Sequence, residues 1–157
     1  MRCALEVAAP PFLLLDSDIL YESRGLDALL EQSAANGALV SDLTGSGDEY
    51  YVWSDNGSRI RYFSKLLSEQ SGAPAGEHVG ILKIGEALGS TLLARAPAKL
   101  LDRPMDAYES LLVELLAEHP VENAYVPDLL WSEIDNVAML ETARSVIWPG
   151  LMAMGDN

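Results

Sequence analysis

The feature that most restricts how this chain can fold lies around Asn56-Gly57. Tyr50-Tyr51-Val52-Trp53 and Arg59-Ile60-Arg61-Tyr62-Phe63 flank Ser54-Asp55-Asn56-Gly57-Ser58. An Asn-Gly pair accepts the positive φ that tight hairpin turns need, and the aromatic and β-branched flanks suit a half-buried pleated surface. The pattern predicts a β-hairpin over about 50–63. Because a hairpin is only marginally stable alone, the remaining segments must supply a partner surface.

Those segments divide into apolar runs and helical patterns. Phe12-Leu13-Leu14-Leu15, between Pro10-Pro11 and Asp16, predicts a short buried strand, and Ala38 to Leu43 predicts another. Gly25 to Asn36 has Leu26, Leu29 and Leu30 at helical spacing, with Asn36-Gly37 as the stop. Glu77 to Arg95 reads as a buried helix whose Gly80, Gly85 and Gly89 allow close approach. Pro104 to Glu118 is the cleanest amphipathic pattern: Met105, Tyr108, Leu111, Leu112, Leu115 and Leu116 on one face, acids on the other. Asp128 to Ile147, entered through Pro127, predicts a further helix. The Ser- and Gly-rich stretch from Ser68 to Gly76 is a loop, and the tail from Gly150 should fray.

The expected fold class is therefore α+β: a single domain over 1–157, with a small antiparallel sheet and a central hairpin packed against four to five helices. The C-terminal half should be helical. At 157 residues and 49% hydrophobic content the chain can bury a core without staples. Cys3 is the only cysteine, which excludes an intrachain disulfide and a cysteine zinc cage and fits a cytoplasmic protein. Arg2 and the apolar stretch to Leu15 imitate a secretion signal, but Glu6 and Pro10-Pro11 interrupt it, so it reads as mature structure. No run approaches the roughly 18 apolar residues of a spanning helix.

The formal net charge of −14 argues against phosphate-mediated nucleic-acid binding and against an anionic membrane surface. The charge is uneven: −8 over 1–58, +3 over 59–103 and −9 over 104–157. Such segregation costs self-repulsion, and it predicts an acidic docking surface for a basic partner made of Asp106, Glu109, Glu114, Glu118, Asp128, Glu133 and Asp135. Tyr51 and Trp53, sharing one hairpin face, are the candidate aromatic anchors of that surface.

No catalytic signature is legible. His78 and His119 have no ligand partner at metal spacing, no Gly-x-Ser-x-Gly elbow occurs, and the glycines match no phosphate loop. Asp42 to Glu49 opens like a calcium loop but has Trp53 where a bidentate Glu belongs, so Asp42 and Asp48 read as a turn. Asp16-Ser17-Asp18 follows an apolar strand, as metal-binding carboxylates do in several phosphotransfer enzymes. The sequence expectation is thus an acidic protein-binding module without cofactor or resident metal. By general type it is similar to the immunity proteins that neutralise a basic toxin, and it would act as monomer or homodimer. The alternatives are a secretion chaperone or adaptor and a carboxylate metal-dependent hydrolase using Asp16 and Asp18.

Overall fold

The computed structural model describes residues 9–55, 58–102 and 108–155, with backbone alone over 96–102. Its strands are β1 (Phe12–Leu15), β2 (Ile19–Tyr21), β3 (Gly37–Ser41), β4 (Tyr51–Ser54), β5 (Ile60–Ser64), β6 (Gly76–Ile84), β7 (Glu122–Tyr125) and β8 (Trp131–Glu133). The helices are α1 (Ser23–Glu31), α2 (Glu86–Asp102), α3 (Tyr108–Leu115) and α4 (Val137–Thr142). A π turn over Ala143–Ile147 carries α4 on into α5 (Trp148–Met154).

The nine-residue β6 is the spine. Its residues are buried on both faces: His78, Leu82 and Ile84 join one core, and Val79 and Ile81 the other. The first core lies under α2 and α3, where Leu88, Leu111, Leu112 and Leu115 meet Val52, Ile60 and Phe63. The second lies under α1, where Leu29 and Leu39 meet Leu129 and Trp131. The sheet is thus the middle of three layers, an arrangement in which each apolar face is covered by helices or by the β2–β8 ribbon.

Six strands make the main sheet in the order β5-β4-β6-β3-β7, with β1 also on β6. The β3–β7 pair is parallel and the rest are antiparallel. β2 and β8 form a separate antiparallel ribbon, Ile19 opposite Glu133 and Tyr21 opposite Trp131. One edge of β6 is divided: β4 pairs with Gly76 and Glu77, and β1 with Ile81 to Ile84. Between them the sheet forks, bridged by His78 N to Tyr50 O (2.9 Å) and Asp16 N to Gly80 O (2.9 Å). Gly80 at the fork has φ +82°, and a Cβ there would lie 2.6 Å from Asp16 Oδ2. Only glycine meets both conditions without strain.

This architecture corrects the expected fold class. The sheet is mixed, not a small antiparallel one, and the 50–63 hairpin forms its edge, with Asn56 and Gly57 outside the described residues. Glu77 to Ile84 is strand, because an apolar run buried on both faces carries no period that distinguishes it from a buried helix. The C-terminal half is not wholly helical, since β7 and β8 occupy 122–133 and Asp128 sits in a turn with φ 52°. Among the described residues no helix is long and apolar enough to cross a membrane.

Candidate active site

The fork opens a cavity of about 40 Å³ that runs between the layers. Glu109 enters it from α3 on one side, Trp131 and Glu133 from the ribbon on the other, and Asp16 from the turn after β1. Lys65, Asp48 and Glu77 complete its charged lining. Beside it, a second cavity of about 570 Å³ shares Glu77, Trp131 and Glu133 and is otherwise bounded by Leu129, Leu130, Met139, Ile147 and several hydroxyls. Among the described residues no Lys, Arg or His lines this larger space.

Three carboxylates gather at the ribbon's end. Asp18, Glu133 and Asp135 each present an oxygen, and these oxygens all lie within 4.8 Å of one another. Backbone pairing causes this proximity: β2 and β8 are antiparallel, and Ile134 N donates to Asp18 O at 2.9 Å, which sets Asp18 beside the two acids flanking Ile134. Burial, then the charges of Asp135 and Asp18, push the Glu133 carboxyl up to about 7. The donor set consists of hard carboxylate oxygens alone, which fits magnesium, manganese or calcium better than zinc or copper. A divalent cation would relieve the like-charge crowding that this cluster otherwise bears.

A second network holds the preceding turn. The Tyr108 hydroxyl donates to Asp16 Oδ2 at 3.1 Å and lies 3.2 Å from His78 Nε2. His78 Nδ1 faces the Leu39 carbonyl at 3.2 Å, so the ring proton belongs on Nδ1, and Nε2 competes with Asp16 for the one Tyr108 hydroxyl proton. Complete burial keeps this imidazole neutral by pulling its pKa down to about 4. Burial also pushes the Tyr108 phenol upward, helped by the charges of Glu109 and Asp16, so it remains a donor. Asp16 itself is raised, chiefly by burial. Glu109 is only 5% exposed, and burial with the nearby Asp16 charge pushes it up to about 7. Its Oε2 has no hydrogen-bond partner among the described residues.

The expected docking acids are not one surface. Asp106 lies outside the described residues, as does Cys3. Glu109 is buried in the cavity, whereas Glu118 is exposed and held 3.1 Å from Arg95. Glu114 is exposed on α3, and Asp128 caps a turn where its N–H meets Asp42. Glu133 and Asp135 join Asp18 instead. Of the aromatic pair, Trp53 is buried with Nε1 donating to Gly72 O, and Tyr51 bonds Glu49. Asp42 is engaged by the Tyr125 hydroxyl and Asp48 by Lys65 at 2.7 Å, so the loop resembling a calcium site is tied up internally. Lys65, Glu77 and Tyr108 were missed as site residues. Nothing in their sequence context separates them from surface or core positions.

No family model matches the chain. Its structure is similar to the inositol-1-phosphate CTP transferase from T. maritima, with TM-score 0.64 and 16% identity, covering 87% of this chain and 54% of that one. It is also similar to a Bacillus anthracis protein assigned as a glucose-1-phosphate thymidylyltransferase, with TM-score 0.64 and 12% identity, covering 93% and 58% respectively. The chain therefore spans a little over half the length of these neighbours. The fold is nucleotidyltransferase-like. That finding overturns the expectation of an immunity-type inhibitor.

Proposed function

We propose that this chain carries the cation-binding and acceptor-side part of a nucleotidyltransferase-type site, with Asp18, Glu133 and Asp135 holding a divalent cation at the mouth of the fork. The single observation that carries this reading is the convergence of those three carboxylates on one end of the β2–β8 ribbon. The nucleotidyltransferase-like fold supports it, because both neighbours are described as moving a nucleotidyl group onto a sugar or inositol phosphate. When bound, such a cation supplies charge neutralisation at phosphate oxygens.

The chain's own residues do the rest. Among the described residues Lys65 is the one cation lining the cavity, and it stands in the field of Asp48, Glu133 and Asp135. It is therefore the group that would meet an acceptor phosphate across from the carboxylates. Tyr108 and Gly80 fix the Asp16 end of the turn that carries Asp18. His78, neutral and buried, orients Tyr108 and exchanges no proton near pH 7.

Titration calorimetry with Mn²⁺ or Mg²⁺ tests the reading. The wild type should bind one ion and gain about 2.7 kcal/mol of stability at a hundredfold excess over Kd. Asp135→Asn and Asp18→Asn should each abolish that gain while leaving the metal-free melting temperature close to wild type. Absence of divalent-ion binding to the wild type would overturn the proposal.

A further inference from the structure

The interior of the fork, beyond the three carboxylates at its mouth, has a composition that phosphate binding leaves unexplained. Besides Glu133, which belongs to that cluster, four acidic side chains among the described residues line it: Asp16, Glu77 and Glu109 inside and Asp48 at the exposed rim. Against them stands Lys65, whose ammonium is already paired with Asp48 at 2.7 Å. His78 is neutral there. Among the described residues the lining is thus rich in carboxyl oxygens and poor in N–H donors to meet them.

Glu109 makes the shortage specific. It is 5% exposed, and Oε2 is buried with no hydrogen-bond partner among the described residues. A buried acceptor without its hydrogen bond bears its full desolvation penalty, which a bound donor removes. By contrast, Glu77 is satisfied by the backbone N–H of Thr44 (2.7 Å) and its hydroxyl. The missing partner is therefore an N–H or O–H donor delivered into the cavity at Glu109.

Two observations decide its chemistry. The carboxylates of the described residues gather tightly enough to share one metal ion at Asp18, Glu133 and Asp135; no such group includes Glu109. Spread acceptors suit a group with several diverging donors, as an ammonium has. The cavity of about 40 Å³ has room for roughly three water-sized groups, given that one water needs at least about 10–15 Å³. A primary ammonium on a methylene fits that space. A trimethylammonium group has no N–H to offer Glu109.

We infer that the cavity receives the primary ammonium of the acceptor, so that this site takes an aminoalkyl phosphate in place of the neutral polyol phosphates named for the structural neighbours. The inference rests on the phosphoryl-transfer reading above for the acceptor's phosphate, which Lys65 and the cation would face. It does not rest on it for the ammonium end.

Binding of three probes to the full chain tests it: O-phosphoethanolamine, ethylene glycol monophosphate with hydroxyl in place of ammonium, and O-phosphocholine. Each is titrated by NMR or calorimetry with and without Mn²⁺. Phosphoethanolamine should bind about tenfold or more tighter than the other two, as a site built around an unmade hydrogen bond discriminates. Glu109→Gln should reduce that preference to under about threefold without weakening Mn²⁺ binding, while its melting temperature reports that the fold is kept. Equal binding of the three probes to the wild type, or no binding of any, overturns the inference whatever the variant does. So does an undiminished preference in a folded Glu109→Gln protein. A preference for phosphoethanolamine that persists in a protein with no Mn²⁺ affinity would sink the phosphoryl-transfer reading and leave the ammonium site standing.

Discussion

Carboxylates of the outer surface and carboxylates of the fork obey different physics in this molecule. On the outside, Glu118 meets Arg95 at 3.1 Å, Glu141 meets Arg144 at 3.6 Å and Asp55 meets Arg61 at 3.7 Å, all between side chains that are 39–67% exposed. In the fork, Asp16, Glu77, Glu109 and Glu133 are raised above the ordinary carboxylate range, with burial the first cause in each case. The outer pairs are screened and nearly neutral in free energy. The inner group is destabilising as charge and is tolerated where something else compensates. Net charge read from a sequence adds the two populations together. Only burial separates the acids that keep a surface wet from those that make a site.

The comparison yields an ordered set of tests. The largest effect belongs to Glu109→Gln. The folded carboxyl sits at about 7 against an ordinary 4.5, so between those values the folded state keeps a proton that the unfolded state has released. This group's contribution is fully present below about pH 4.5 and is lost as pH rises through 7. In metal-free buffer at pH 8 the variant should therefore exceed wild type by on the order of 2–3 kcal/mol, and the difference should vanish near pH 4.5. Denaturant melts across that range check it; a difference independent of pH would break the contrast between the two regions.

Gly80→Ala comes next. A Cβ 2.6 Å from Asp16 Oδ2, at φ +82°, should cost about 2 kcal/mol in stability. It should also weaken Mn²⁺ binding by displacing the turn that leads to Asp18, which calorimetry would read. The smallest effect is predicted outside: Arg95→Ala, which removes the Glu118 pair, should change stability by about 0.5 kcal/mol or less and only at low salt. A larger loss would mean that the outer acids are not the passive population described.

Part of this organisation was legible in the chain. The apolar run at 12–15, the strand after Gly37 and the two arms of the hairpin carry local signals strong enough to place them. β6 was not legible, because Val79, Ile81, Leu82 and Ile84 are buried on two faces and continue into Leu88 and Leu92 of α2 as though one helix ran throughout. β7 and β8 are short, and the Pro127-Asp128 turn between them imitates a helix start. Asp16-Ser17-Asp18 follows an apolar strand as metal-binding carboxylates do, yet the sequence expectation sets no resident metal there. Its partners Glu133 and Asp135 were assigned to a helical docking face, since only ribbon pairing brings opposite ends of the chain together. Glu109 shows the limit most clearly: its amphipathic position places it among solvated acids, but the packing of α3 over the fork buries it.

The divided edge of β6 has one more consequence. Its opening is framed by peptide groups, Tyr50 to His78 and Asp16 to Gly80, and not by any particular side chains. A pocket built from main chain can survive the replacement of nearly every residue that lines it, changing what it admits without changing where it is. Such an aperture is heritable as geometry, in a chain that keeps its fold at 16% and 12% identity to two solved structures.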